Sequence, residues 1–117
     1  MVSSARRHAA AGGSAIALDK CRIQRALEDR QRYRYVSPRV REVDGGFLID
    51  SPCCSRTVDP EGGYVDIAFL RHEPDTGGWW LYRKNHTLGE WECDSIHARL
   101  VDLLHLLCGD PLRRFWQ

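Results

Sequence analysis

Hydrophobic positions near the start of the chain recur at the spacing of an α-helix. Ser14 is a suitable N-cap, and the apolar positions that follow it at this spacing are Ile16, Ile23, Ala26 and Leu27. Residues 17–34 contain neither proline nor glycine, and the positions between the apolar ones are mostly charged. The pattern predicts an amphipathic helix of about four turns that ends before Pro38.

The middle of the chain alternates apolar and polar residues over short runs separated by turn residues. RVREV and FLIDS flank Asp44-Gly45-Gly46, which is typical of a β-hairpin, and SPCCSRTVDPEGG has the composition of a loop. Three more runs predict strands: YVDIAFLRH, WWLYRK and EWEC. In the first of these, alternation is expected to place Val65, Ile67 and Phe69 on one face, with Ala68 and Leu70 opposite.

A leucine-rich stripe close to the C-terminus predicts a second amphipathic helix. Asp94 or Ser95 is expected to cap it, and Gly109 followed by Pro111 is expected to end it. The stripe consists of Ile96, Leu100, Leu103, Leu104 and Leu107. The order of elements predicts a two-layer α+β fold, with an N-terminal helix, an antiparallel sheet of four or five strands and a C-terminal helix.

Two helices on one side of a sheet leave its other side without a cover from the predicted elements. If Trp79 and Leu81 lie under the helices, Trp80 and Tyr82 point away from them. Phe115 and Trp116 could fold back over this face, a second copy of the chain could pack there, or a base or small aromatic ligand could stack on it. We therefore expect the interaction face to contain Trp80, Tyr82, Phe115 and Trp116.

Length and composition favour one domain. The chain has 117 residues and 43% hydrophobic content, and we expect residues 1–14 to be a disordered leader and residues 15–117 a single α+β domain. The sequence has no apolar run long enough to span a membrane. Five cysteines, with Cys53 and Cys54 adjacent, fit no small disulfide framework, which indicates reduced thiols in a cytoplasm.

Positive charge is concentrated in the first third of the chain. Residues 1–41 hold ten Lys or Arg and three acidic residues, whereas residues 42–117 hold seven basic and thirteen acidic residues. The charges of these two parts of the chain can neutralise each other when the parts pack together, or the basic part can bind phosphate groups. The candidate phosphate-binding residues are Arg22, Arg30, Arg34, Arg39 and Arg41.

Motifs for catalysis, cofactors and metals are not found in the sequence. There is no phosphate-binding glycine loop, no GxSxG elbow and no CxxC pair. The pair His105/Cys108 is expected to lie too far along the last helix from the pair Cys93/His97 for the two pairs to share one tetrahedral ion. We expect no cofactor, no metal site and no catalytic residue.

Several of these features together resemble an uncharacterised bacterial family, domain of unknown function 3024. The resemblance rests on WWLY at Trp79–Tyr82, Trp91 in EWEC, the leucine-rich last helix, Gly109-Asp110-Pro111 and the final Phe115-Trp116, with CRIQRALEDR similar in style. Where that family tends to have His and an aromatic residue, this chain has Glu92 and Cys93, and Gln117 follows the last Trp. The resemblance implies an α+β domain and a cytoplasmic bacterial protein, and it implies no activity.

The sequence favours a small, non-enzymatic module that binds a protein partner. We expect association with another protein chain, often a second copy, through the face of Trp80 and Tyr82. The alternative is nucleic-acid binding, in which the arginines neutralise phosphates while Trp80 and Tyr82 stack on bases.

Overall fold

The chain folds into two helices packed on one side of a five-stranded sheet. The computed structural model describes residues 2–30, 37–52 and 63–116, with side chains from residue 15 onwards. The helices are α1 (Val2–Glu28) and α2 (Leu100–Gly109), and the strands are β1 (Arg39–Val43), β2 (Gly46–Pro52), β3 (Tyr64–His72), β4 (Trp79–Asn85) and β5 (Glu90–His97). This architecture confirms the predicted two-layer α+β fold. No helix in the described ranges is both long and apolar enough to cross a membrane.

The sheet is an antiparallel meander with the strands in chain order, β1-β2-β3-β4-β5. Gly45 adopts a positive φ of 85° in the turn between β1 and β2. Gly46 follows it where β2 passes close to β3, and a Cβ at Gly46 would collide with the carbonyl oxygen of Leu70. Glycine is therefore needed at both positions, first for the backbone angle and then for the close approach of two strands.

The core lies between the helices and one face of the sheet. The helices contribute Ile23 and Leu27 from α1, and Leu103 and Leu107 from α2, each at most 2% exposed. The sheet contributes a row of buried side chains: Phe47, Ile49, Ala68, Leu70, Trp79 and Leu81. Each fully buried leucine, isoleucine or phenylalanine in this core stabilises the fold by about 1.5–3 kcal/mol.

Two irregularities in strand pairing change which side chains face the core. Ile49 pairs with Ala68 and Asp50 with Asp66, so Ile67 has no partner in β2. This bulge reverses the alternation, which explains why Ile67 and Ala68 are both buried. The predicted grouping of Val65, Ile67 and Phe69 on one face was wrong for this reason. A second bulge lies between the Leu81/Ser95 and Tyr82/Cys93 pairs.

The predicted boundaries of both helices also need correction. Helix α1 begins at Val2 rather than near Ser14. Ile96 belongs to β5 and is 63% exposed, because α2 begins only at Leu100, with Arg99 as its N-cap. The prediction of a leader at residues 1–14 and one domain from residue 15 stays a prediction. Most of the predicted loop SPCCSRTVDPEGG lies outside the described residues.

The C-terminal segment after α2 is wound around one buried carboxylate. Asp110, 1% exposed, takes the left-handed backbone conformation that ends the helix. Its Oδ1 accepts the backbone N–H of Arg114 at 2.7 Å, and its Oδ2 accepts the backbone N–H of Trp116 at 2.8 Å. The N–H of Phe115 lies 3.3 and 3.2 Å from the same two oxygens. These bonds turn the chain back, so that Phe115 and Trp116 enter the core.

Candidate functional site

Aromatic side chains cluster on the sheet face that points away from the helices. Trp79 and Leu81 are buried on the helix side, and the residues between and after them, Trp80 and Tyr82, point the opposite way, as predicted. Residues paired across strands share a face, and Tyr82 pairs with Phe69 of β3. Together with Trp91 of β5, these residues form what we call the aromatic face, defined as Phe69, Trp80, Tyr82 and Trp91.

The four rings of the aromatic face form a continuous chain of contacts. The ring centroids of Phe69 and Tyr82 lie 5.6 Å apart, those of Phe69 and Trp91 6.1 Å, and those of Trp80 and Tyr82 6.5 Å. All four side chains are partly exposed. Such distances are normal for interacting aromatic pairs, so the rings hold each other in place while keeping part of their surface in water.

Exposed apolar surface extends the aromatic face towards the edge strand β5. Ile96 pairs with Trp80 across the strands and is 63% exposed, and Cys93 pairs with Tyr82 and is also exposed. An isoleucine with this exposure beside Trp80, which belongs to the chain of half-buried rings, makes a contiguous apolar area rather than an isolated side chain. Contiguous areas of this kind mark interaction surfaces more often than scattered apolar residues do.

Cations lie over rings on the same side of the sheet. The guanidinium of Arg71 is 5.4 Å from the ring centroid of Trp80, and the ammonium of Lys84 is 4.9 Å from that of Trp91. Further along the sheet, the guanidinium of Arg39 stacks 3.6 Å from the ring centroid of Tyr64. Each contact contributes about 0.5–1 kcal/mol at an exposed site.

Carboxylates of the same chain neutralise most of this positive charge. Asp50, only 2% exposed, accepts two hydrogen bonds from Arg39 at 2.9 and 2.8 Å, and a third from Arg41 at 3.0 Å. The hydrogen bond to Asp50 raises the pKa of the Arg39 guanidinium. Lys84 pairs with Asp66 at 3.3 Å, and Arg71 lies 3.8 Å from Glu73. The positive charges around the aromatic face therefore have acidic partners within the chain.

The two C-terminal aromatic residues do not join this face. Phe115 is 4% exposed and Trp116 is 1% exposed, and both belong to the core cluster on the helix side. The indole N–H of Trp116 donates to the carbonyl of Leu107 at 2.9 Å. The prediction that Phe115 and Trp116 lie with Trp80 and Tyr82 is corrected for a physical reason, namely that the Asp110 carboxylate directs this segment under the helices.

The four candidate phosphate-binding arginines that the structure describes do not form one patch. Arg30 is 3% exposed, donates to the carbonyl of Leu27 at 2.7 Å, and lies over the ring of Trp116. Arg22 is on α1, 3.3 Å from Asp19. Arg39 and Arg41 are on the sheet around Asp50. Arg34 lies outside the residues that the structure describes.

Sequence reasoning missed Phe69, Trp91 and Ile96 as neighbours of Trp80 and Tyr82. The hairpin turns at Glu73–Gly78 and Asn85–Gly89 offered a signal, because they set which residues of β3, β4 and β5 pair. No group of three or more His, Cys, Asp or Glu side chains that could hold a metal ion occurs within the described part of the chain.

Comparison with known proteins identifies the family of this chain. No curated protein and no solved structure matches it. A family model does match the chain. It covers residues 15–117, which include the second half of α1, the five strands, α2 and the C-terminal segment. The chain therefore belongs to the family described as a domain of unknown function (DUF3024).

Proposed function

We propose that this protein is a small, non-enzymatic protein-interaction module that self-associates through its aromatic face. The observation that carries the proposal is the chain of ring contacts among Phe69, Trp80, Tyr82 and Trp91, bordered by the 63% exposed Ile96. Tryptophan and tyrosine dominate the energetically important centres of protein interfaces. Because neighbouring rings already fix their orientation, little side-chain entropy is lost when a partner covers them.

Charge pairing supports a second copy of the chain as the partner. In a symmetric dimer the same surface meets itself, so unpaired cations on the face would oppose each other across the interface. Here Arg39 and Arg41 share Asp50, and Lys84 pairs with Asp66. Two aromatic faces can therefore approach without strong like-charge repulsion.

Thiol chemistry supports a cytoplasmic location for this module. Cys21, Cys93 and Cys108 are free thiols among the described residues, and Cys21 and Cys93 are exposed. Exposed free thiols persist where the surroundings are reducing, as in the cytoplasm. Together with the family resemblance, these thiols support our proposal that the module works in the cytoplasm of a bacterium.

Sedimentation velocity over a range of protein concentrations tests the self-association. We expect the wild-type chain to form a dimer that dissociates on dilution, and Ile96→Asp to be monomeric because it adds a charge to the exposed apolar surface that borders the aromatic face. The matched control is Leu88→Asp, which adds the same charge at a 64% exposed leucine in the turn between β4 and β5. A wild-type chain that remains monomeric at roughly 100 μM would exclude a biologically useful dimer.

Binding of single-stranded nucleic acid is a second candidate, which the pairing of cations with rings favours. Arg71 over Trp80 and Lys84 over Trp91 combine a stacking surface with a positive charge at the same place. The test is fluorescence anisotropy of labelled single-stranded DNA and RNA at about 50 and 200 mM salt. Binding that weakens steeply at the higher salt and is lost in Lys84→Gln would favour this candidate over a dimer.

A further inference from the structure

A groove of about 830 Å³ lies between α1 and α2, in the helix layer rather than on the aromatic face. Its apolar lining comes from Ala26 of α1 and from Leu100, Val101 and Leu104 of α2. Val101 is 40% exposed, whereas Leu100 and Leu104 are at most 9% exposed. The groove volume falls within the range of roughly 300–1,000 Å³ that is usual for small-molecule sites.

The charged residues that line the groove are mostly basic. Arg22 and Arg25 contribute from α1, and Arg99 from the start of α2, whereas Asp29 is the acidic residue among the lining side chains. Asp19 lies 3.3 Å from Arg22 and offsets its charge, so the excess positive charge at the groove comes from Arg25 and Arg99. The groove therefore combines an apolar floor with an excess of positive charge at its rim.

Cys108 keeps the floor of the groove uncharged. Its thiol donates to the carbonyl oxygen of Ala26 at 3.4 Å, which joins α2 to α1. Burial raises the pKa of this thiol to about 11, so it stays protonated at neutral pH. A thiolate here would repel an anion, whereas the neutral thiol adds polarisable apolar surface to the site.

We propose that this groove binds a small organic anion with an apolar body, such as an aromatic or aliphatic carboxylate, sulfonate or phosphate ester. The apolar body lies against Leu100, Val101 and Leu104, and the anionic group meets the guanidinium groups of Arg25 and Arg99. Arginine suits this role because its planar group donates two parallel hydrogen bonds to such oxyanions. The site is independent of the aromatic face and of the proposed self-association.

A pair of fluorescent probes that differ only in charge tests the proposal. Anilinonaphthalene sulfonate carries an apolar body and a sulfonate, and phenylnaphthylamine carries the same rings without the anion. We expect the folded wild-type protein to bind the sulfonate probe at least tenfold more tightly than the neutral probe, a ratio that one favourable ionic contact in a partly apolar site supplies. Equal affinity for the two probes would overturn the proposal, because the groove would then not select an anion.

Matched variants locate the bound probe. Val101→Asp adds a negative charge inside the groove at an exposed position in the first turn of α2, where acidic residues favour the helix. We expect it to abolish binding of the sulfonate probe, whereas Ile96→Asp, which adds the same charge on the aromatic face, leaves binding unchanged. The opposite result, with binding lost only in Ile96→Asp, would assign the probe to the aromatic face and overturn the proposal.

A second pair of variants tests the role of the arginines. Arg25→Gln removes a positive charge from the rim, and Lys20→Gln removes one from the same helix at a position that does not line the groove. We expect Arg25→Gln to weaken binding of the sulfonate probe by roughly fivefold, and Lys20→Gln by less than twofold. Equal weakening by both variants would mean that only the general charge of the protein attracts the probe, which contradicts a built site.

Discussion

The Asp110 carboxylate provides the sharpest test of how the C-terminal segment is held. The variant Asp110→Asn preserves the volume of the side chain and tolerates the left-handed backbone angle of φ 39°. It replaces one of the two carboxylate oxygens with an amide nitrogen that donates hydrogen bonds. The backbone N–H groups of Arg114 and Trp116 approach different oxygens, at 2.7 and 2.8 Å. Whichever way the amide turns, one of these groups faces another donor.

The magnitude follows from the number and kind of hydrogen bonds that change. One short bond to a charged acceptor is lost, and such bonds contribute about 1.5–3 kcal/mol each. The remaining bonds lose the strengthening that the negative charge gives them, and the backbone N–H groups of Phe115 and Trp116 are buried. We expect Asp110→Asn to lower the free energy of unfolding by about 3 kcal/mol.

Urea unfolding followed by tryptophan fluorescence measures this change. The control is Asp75→Asn in the exposed turn between β3 and β4, which should shift the free energy of unfolding by less than about 0.5 kcal/mol. The dependence of this free energy on urea should stay the same in both variants, because a similar surface is exposed on unfolding. A loss below about 1 kcal/mol for Asp110→Asn would refute the view that this carboxylate anchors the segment.

Two further predictions concern the sheet and the groove. Gly46→Ala should destabilise the fold by about 3 kcal/mol or more in the same urea assay, because its Cβ meets the Leu70 carbonyl, whereas Gly109→Ala, with open space around it, should be neutral or mildly stabilising. A large loss of stability in both variants would mean that the backbone freedom of glycine, rather than the collision with the Leu70 carbonyl, explains the effect at Gly46. Iodoacetamide should alkylate Cys108 roughly a hundredfold more slowly at pH 8 in the folded protein than in urea, because its pKa rises from 9.0 to about 11. Mass spectrometry should show the folded rate still climbing above pH 9, and a plateau there would contradict the raised pKa.

The sequence was sufficient to predict the two layers, because apolar residues recur at a regular spacing along the helices and the strands. The alternation from Trp79 to Tyr82 correctly separated two pairs of side chains onto opposite faces, and the structure shows that Trp79 and Leu81 are the buried pair. The helical spacing of Leu103, Leu104 and Leu107 likewise identified the buried side of α2. These assignments depend on local geometry, which holds wherever the element packs.

What the sequence did not reveal depends on contacts between distant residues. The bulge at Ile67 results from how β2 pairs with β3, and no alternation within β3 alone signals it. The burial of Phe115 and Trp116 depends on the preceding Asp110 and on core residues contributed by the helices and the sheet. The charge pattern predicts a surface position for Arg30, whereas its guanidinium is buried over the ring of Trp116. Contacts of this kind between distant residues can be identified only in the folded chain.

The sequential order of the strands has a consequence for how the protein is made. Each strand pairs with the one synthesised immediately before it, so the sheet can grow in step with translation from local contacts alone. The apolar side of α1 is synthesised before the sheet, but the core that covers it includes α2 and Trp116, which follow the sheet in the sequence. The first helix must therefore keep Ile23 and Leu27 from competing partners until α2 and Trp116 have left the ribosome.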